Sequence, residues 1–216
     1  GLSLLKTSWA SLDDSFRSVI TDSLGRERAF GSDVPQHISN SIWGLAKMDA
    51  AWSEVPGEAI MRAFVRCHDR FAPQEVSNSL YGLAVMDTAW SDLQVTSQVA
   101  LASALKHTAP DMTPQEVANV MYSLAIMTFD AAYKPLEDTS PAAQALWGIH
   151  RTAVGAFTRI PASTYEKENF DQFAMYFELL GVIPGGRALL KSVTGADQVI
   201  TLTCTLTLTL FDPSQR

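Results

Sequence analysis

Apolar residues recur at helical spacing along most of this chain, and one helix pattern is written three times. The copies are PQHISNSIWGLAKMDAAW (35–52), PQEVSNSLYGLAVMDTAW (73–90) and PQEVANVMYSLAIMTFDAAY (114–133). Each copy places apolar side chains three and four residues apart, so that they share one helix face. We predict that this face is buried. The predicted core positions are Ile38, Ile42, Leu45 and Ala46; Val76, Leu80, Leu83 and Ala84; and Val117, Met121, Leu124 and Ala125.

A second helix is predicted after the tryptophan, or its equivalent, that closes each copy. These helices are expected at about 11–24, 54–70, 92–107 and 140–158. Proline at the start of each copy suits the first position of a helix, where its missing N–H costs no bond. Capping boxes are expected at Thr113 with Glu116 and at Ser91 with Gln94, because this spacing satisfies backbone N–H groups at a helix start.

The copies recur with an almost constant period. Pro35, Pro73 and Pro114 are separated by 38 and then 41 residues. One equivalent place, interpreted as the corner between two helices, is occupied by Trp9, Trp52, Trp90 and Tyr133. Neither helix of a copy can bury its apolar face alone, so the pairs must stack on one another. The sequence therefore predicts an all-α fold, a right-handed α-solenoid of stacked antiparallel helix pairs over residues 1–181, with three complete pairs and one pair truncated at its N-terminus.

The period weakens after about residue 160. TYEKENFDQFAMYFELLG (164–181) still predicts a helix, with Phe170, Phe173, Phe177 and Leu180 at helical spacing. Residues 182–216 are predicted to form an irregular or poorly ordered tail. Within it, TLTCTLTLTL (201–210) alternates with period two, which is typical either of a β-strand or of a low-complexity segment outside the repeat. We favour the second interpretation for this segment, and the sequence does not decide whether residues 196–216 are part of the fold.

Composition adds three expectations. The chain has 216 residues, of which 47% are hydrophobic, and no apolar run approaches the length of a membrane span, so no membrane partner is expected. Cys67 and Cys204 lie far apart, which argues against a disulfide framework and fits a reducing compartment. Because the sequence opens in the middle of the pattern, we expect it to be a piece of a longer protein, and its localisation cannot be read from the residues.

The period near 38, the Pro-Gln start and the Asn-Ser-Leu-Tyr-Gly-Leu-Ala-x-Met core resemble the octotricopeptide repeat and the related helical repeats that precede RAP domains in organellar proteins. The resemblance covers roughly residues 9–160 and extends weakly over 165–181. It implies sequence-selective binding of single-stranded RNA in a chloroplast or mitochondrion, in support of RNA processing, stability or translation. A rigid stack offers evenly spaced side chains to unstacked bases, as other helical-repeat RNA readers do. No RAP domain is recognisable.

The candidate RNA-binding residues lie opposite the core stripe of the first helices. They are His37, Asn40, Gly44 and Lys47; Glu75, Asn78 and Gly82; and Glu116, Asn119 and Ser123. An asparagine can donate and accept a hydrogen bond at once, so the row of identical amides suits base edges, ribose or phosphate. Its sameness favours a second interpretation, an asparagine ladder between neighbouring repeats. Glu75 and Glu116 also suit the positive end of the helix dipole.

Arg62, Arg66 and Arg70 form a stripe at four-residue spacing on one second helix and are further candidates for phosphate contacts. The stripe is present in one copy only, which is more typical of a solvated face. The net charge of −7 also weighs against a polyanionic partner, because nucleic-acid affinity depends on cations that neutralise phosphates. Two alternatives to RNA binding therefore stay open: a HEAT- or armadillo-like protein-interaction scaffold, and a helical arm that carries a catalytic domain encoded elsewhere.

No catalytic, metal or cofactor motif is recognisable. The four histidines are scattered, and none has a Cys or carboxylate at metal-ligand spacing. Cys67 and His68 are neighbours, but adjacent residues point about 100° apart on a helix. GVIPGG (181–186) lacks the strand and the Lys-Ser/Thr of a phosphate-binding loop. We therefore expect no enzyme, no cofactor and no small-molecule substrate.

Overall fold

In a computed structural model of the protein, the structure describes residues 7–26, 30, 34–129 and 138–182, with the isolated positions 186, 188, 189 and 192. These residues are all-helical and contain no strand. They form eight α-helices: α1 (Asp14–Gly25), α2 (Pro35–Lys47), α3 (Gly57–Cys67), α4 (Pro73–Val85), α5 (Val95–Thr108), α6 (Pro114–Thr128), α7 (Pro141–Arg159) and α8 (Lys167–Val182). Tyr133, Cys204, the segment 201–210 and the rest of the predicted tail beyond Val182 lie outside the described residues, apart from those isolated positions.

The first helix of each copy begins at its proline, as predicted. At α6 the predicted capping box is present: Thr113 N–H donates to Glu116 Oε2 (2.7 Å) and Glu116 N–H donates to Thr113 Oγ1 (3.3 Å). The Ser91–Gln94 box is wrong. A 3₁₀ turn occupies Trp90–Asp92, which moves the start of α5 to Val95 and leaves Gln94 without a capping bond.

Two front helices end in the same strained turn. Asp49 after α2 and Asp87 after α4 have φ of 56° and 58°, a left-handed conformation that glycine adopts more readily. Ala50 N–H donates to Leu45 O at 3.2 Å, and Asp49 N–H donates to Ala46 O at 3.1 Å, the two bonds of a Schellman cap. Both copies therefore end their first helix by the same backbone device.

The helices lie in two layers. The front layer runs α2, α4, α6, α8, with each helix packed on the next, and the back layer runs α1, α3, α5, α7 in the same way. Contacts also join α2 with α3, α4 with α5, and α6 with α7. The architecture is therefore repeat-like, with helices packed in neighbouring pairs. None of the described helices has the length and apolarity needed to span a membrane.

One hydrophobic core runs between the layers. All the predicted core positions of the first helices are buried, and Ile60, Ala63 and Phe64 of α3 join them. Ala59, by contrast, is only half-buried. The core is thus shared by successive pairs, as the apolar periodicity predicted.

The tryptophan corners connect one copy to the next. Trp9 and Trp90 are 2% exposed, and Trp52 is half-buried against Gly57, where an added Cβ would lie 2.3 Å from the indole. Trp9 N–H donates to Met48 O at 2.5 Å, and Trp52 N–H donates to Met86 O at 3.0 Å. The corners at Trp9 and Trp52 are therefore tied through their backbone to the end of the following front helix.

Candidate functional site

An aromatic row crosses three helices of the front layer. Trp43, Tyr81 and Tyr122 each stand eight residues after the proline of their copy, and each is half-buried. The ring centroids of Trp43 and Tyr81 are 5.5 Å apart, and those of Tyr81 and Tyr122 are 5.9 Å apart. Sequence reasoning missed this row. The available signal was an aromatic residue at one offset in all three copies.

Amide side chains follow the same helix face. Residues one, five, eight and twelve positions after each proline share that face, because these offsets differ by four, three and four residues. Lys47 Nζ lies 4.6 Å from the Trp43 ring centroid, so the side chains eight and twelve positions after the proline are neighbours on this face. We call this surface the amide–aromatic face. It consists of Gln36, Asn40, Trp43 and Lys47; Gln74, Asn78, Tyr81 and Val85; and Gln115, Asn119, Tyr122 and Ile126.

The asparagine row differs along the stack. Asn119 Oδ1 accepts from Gln115 Nε2 at 2.8 Å and from Gln172 Nε2 of α8 at 3.3 Å, so the predicted ladder contact exists at this junction. Asn40 is exposed and Asn78 is half-buried, and neither side chain hydrogen bonds to another described residue. Two of the three amides are therefore available to a ligand.

The small residues of this region do not share one environment. Gly82 is buried, and a Cβ there would lie 2.7 Å from Ile42 Cγ2 and 3.2 Å from the Ile42 backbone. Ser123 is fully buried, and its hydroxyl donates to Asn119 O at 2.6 Å. A Cβ on Gly44 would meet nothing within 4 Å. Close approach at Gly82 therefore serves the packing of α4 on α2, and only Gly44 of the three borders accessible space.

The two candidate glutamates are engaged at helix starts. Glu75 Oε2 accepts from Ala72 N–H, and Glu116 Oε2 accepts from Thr113 N–H, both at 2.7 Å. A carboxylate held at this end of a helix is stabilised by the dipole. His37, at the same offset in the first copy, is exposed.

The arginine stripe belongs to the other side of the molecule. Arg62 and Arg66 lie on α3, and Arg70 ends the 3₁₀ turn that follows, so all three are in the back layer. Arg62 Nη1 pairs with Glu58 Oε2 at 3.5 Å across one turn. The structure thus separates this stripe from the amide–aromatic face.

The buried polar groups named by the sequence are engaged with neighbouring groups. Cys67 Sγ–H donates to Ala63 O at 3.3 Å, and His68 Nδ1 lies 2.9 Å from Val65 O, so each side chain is used within its own helix. Burial lowers the pKa of His150 to about 3, and its Nδ1 lies 2.9 Å from the Tyr176 hydroxyl oxygen. Burial also raises the pKa of Tyr176 above its usual value.

Metal ligands are not gathered anywhere in the described residues: no group of three or more His, Cys, Asp or Glu side chains there could hold a metal ion. Comparisons of the chain with family models, with curated proteins and with solved structures found no match.

Proposed function

We propose that the chain is part of an α-solenoid that binds single-stranded RNA on its amide–aromatic face. The observation that carries the proposal is the row of Trp43, Tyr81 and Tyr122, half-exposed on three successive front helices. Aromatic side chains are stacking partners for unpaired bases, and each base stacked in this way contributes about 1–3 kcal/mol. Because the three rings follow the direction in which the front helices are stacked, they suit a single-stranded RNA that runs along the helices.

The amides beside the row supply the polar part of recognition. Asn40 and Asn78 can each donate to and accept from a base edge, a ribose or a phosphate. Asn119 is already bonded to Gln172, so we expect it to hold α8 in place rather than to read a base. Recognition would then differ from one copy to the next, as selectivity along a sequence requires.

The test is fluorescence anisotropy with labelled single-stranded RNA and with the same sequence as a duplex. Tyr81→Ala and Tyr122→Ala should each weaken binding of the single strand by roughly tenfold or more, at about 1–3 kcal/mol per lost stack. The control is Phe16→Ala, because Phe16 is 45% exposed on α1 of the back layer. The duplex should bind poorly, since its bases are unavailable for stacking.

No binding of single-stranded RNA at low salt would reject direct RNA binding by this chain. Equal effects of Phe16→Ala and Tyr81→Ala would reject the amide–aromatic face as its location.

A protein-interaction scaffold is the second candidate, favoured by apolar exposure beside the aromatic row. Val85 is 41% exposed and Phe129 is 46% exposed, at the ends of α4 and α6. Exposed apolar groups that cluster on one surface are typical of protein interfaces. Val85→Lys separates the candidates, because the added cation should strengthen RNA binding and disrupt an apolar protein contact.

A further inference from the structure

Basic side chains concentrate on the back layer, although the whole chain is acidic. Seven of the ten arginines and lysines among the described residues lie from the middle to the C-terminal end of a back helix or directly after it, and all seven are exposed. We call them the basic surface: Arg26, Arg62, Arg66, Arg70, Lys106, Arg151 and Arg159. Each of the four back helices contributes at least one of them.

Two clefts open on this surface, each between neighbouring back helices. The cleft between α1 and α3 has a volume of about 270 Å³, and the cleft between α5 and α7 has about 330 Å³. The first is lined by Gly25, Arg26, Phe30, Ala59, Arg62 and Arg66. The second is lined by Lys106, Ala109, Pro110, Thr152, Gly155 and Arg159. Cations from two helices thus converge in each cleft.

Acidic groups offset only part of this charge. Glu58 pairs with Arg62 at 3.5 Å, and Asp69 and Asp111 lie in the turns that end α3 and α5. Basic residues at helix C-termini also compensate the helix dipole, which amounts to about half a charge per helix. Lys106 in the last turn of α5 and Arg159 at the end of α7 each bring a full charge, which exceeds what the dipole of one helix requires.

The basic surface reaches the same edge of the molecule as the amide–aromatic face. Each back helix leads directly into the next front helix: Arg70 is followed after two residues by Pro73 and Gln74. The C-terminal ends of the back layer and the N-terminal ends of the front layer therefore share one edge. A strand can leave the clefts and reach the front face across this edge.

We propose that the basic surface binds the phosphodiester backbone of a single-stranded nucleic acid, an inference that rests on the proposed RNA-binding function. Arginine presents a planar fork of donors that matches phosphate oxygens. Cations on each successive back helix fit a polyanion with a repeating charge better than an acidic protein segment with irregular charges. A membrane surface fits less well, because interfacial binding needs apolar anchors beside the cations. The exposed apolar side chains of the back layer, Phe16, Val19, Val95 and Val99, line neither cleft, and the α5–α7 cleft is bordered by small residues.

The experiment uses an abasic deoxyribose–phosphate oligomer, which has phosphates and no bases. Anisotropy is measured between about 50 and 200 mM salt, where counterion release makes log K fall linearly with log salt. Lys106→Gln combined with Arg159→Gln should reduce the slope by about 1.4, at roughly 0.7 per lost phosphate contact on a single strand. Arg62→Gln with Arg66→Gln tests the other cleft in the same way.

The control is Arg17→Gln, which removes a cation in the first half of α1, outside the basic surface and outside the lining of both clefts. The control should leave the slope unchanged. The inference is overturned if the abasic oligomer does not bind, if the control and the cleft variants lower the slope equally, or if poly-glutamate of equal charge binds as tightly.

This design distinguishes failure of the proposed RNA binding on the amide–aromatic face from failure of the proposed phosphate binding on the basic surface. Tyr81→Ala should weaken binding of RNA and leave binding of the abasic oligomer unchanged. If Tyr81→Ala has no effect on RNA while the cleft variants reduce both slopes, the front face is rejected and the basic surface stands. The reverse result rejects the basic surface alone.

Discussion

The front and back layers of this molecule follow different rules. In α2, α4 and α6 of the front layer the same residue types return at the same offsets: proline at the helix start, asparagine and an aromatic residue on the outer face, Leu-Ala in the core. The back layer keeps an apolar stripe but not its register: the exposed Arg62, Arg66 and Arg70 align, counted from the tryptophan, with Ala100, Ala104 and Thr108, which are buried.

The difference separates two kinds of constraint. Front helices pack face to face at close range, as Gly82 on Ile42 shows, so each copy must present similar shapes to its neighbours. The outer face of the back layer contacts no further described helix, and its charges are therefore free to differ between copies. Four predictions sharpen this contrast, beginning with the largest expected effect.

The stability of the folded protein should be sensitive to acid because of His150 of α7, which contacts Tyr176 of α8. Burial keeps His150 neutral in the folded protein, with a pKa lowered from 6.5 to about 3, whereas the unfolded chain takes up a proton below pH 6.5. The free energy of unfolding should therefore fall as the pH drops, by about 2.3 kcal/mol between pH 6.5 and about 4.5 from this group alone. Urea unfolding at several pH values measures it.

His150→Gln should remove this part of the pH dependence, because the amide does not titrate and can still bond to the Tyr176 hydroxyl. The control is His37→Gln at an exposed front position, which should retain the full slope. Identical slopes for wild type and His150→Gln would contradict the buried neutral histidine.

Gly44 and Gly82 stand at the same offset in their copies, but their replacement by alanine should change the stability in opposite directions. Gly82→Ala should destabilise the fold by about 1–3 kcal/mol, because the new methyl group overlaps the Ile42 side chain and approaches its backbone. Gly44→Ala should stabilise it by about 0.5–1 kcal/mol, because a Cβ there meets nothing and alanine favours the helix. Thermal unfolding measures the stability of both variants. Equal changes in stability for Gly82→Ala and Gly44→Ala would disprove close packing of α4 on α2.

The glutamates of the front face should behave as caps. Glu116→Ala removes the acceptor for Thr113 N–H and should cost about 0.5–2 kcal/mol of stability, while RNA affinity should rise with the loss of negative charge. Glu178→Ala, at an exposed position of α8, should leave stability within about 0.5 kcal/mol. A drop in RNA affinity for Glu116→Ala at unchanged stability would instead identify a base contact.

The smallest effect concerns the turns that end the front helices. Asp87→Gly should stabilise the fold by about 0.5 kcal/mol, because relief of the left-handed backbone outweighs the larger entropy of the unfolded glycine chain. Asp92→Gly should have the opposite sign, because Asp92 Oδ2 accepts from Ala89 N–H at 3.1 Å. Chemical denaturation of this pair checks both signs.

Periodicity was sufficient to predict the helices and their buried faces. Burial of an apolar stripe depends on spacing alone, so Ile38, Val76 and Val117 could be assigned to the core from the sequence. The Ser91–Gln94 box failed because a competing 3₁₀ turn begins one residue earlier, at Trp90, and is held by Asp92 Oδ2, which accepts from Ala89 N–H at 3.1 Å. The same turn forms at Trp52, where Glu54 accepts from Ala51 N–H at 3.1 Å, so the acidic residue two positions after the tryptophan was the available signal.

The candidate site was only partly predictable. Asn40, Asn78 and Lys47 were found because polar residues opposite a core stripe must face outward. Trp43, Tyr81 and Tyr122 were missed, because an aromatic residue beside the stripe is read as core until neighbouring copies are placed side by side. The difference between Gly44 and Gly82 likewise depends on whether another helix packs at that point, which no single copy contains.

The bonds from Trp9 to Met48 and from Trp52 to Met86 join the backbone of one copy to that of the next. Replacing a side chain therefore leaves them intact, and removal or duplication of a full period reunites an equivalent donor with an equivalent acceptor. A change of one or two residues between corner and helix end would instead displace the donor from its carbonyl. A stack joined in this way can gain or lose whole periods between these two corners while the joined backbones keep their geometry.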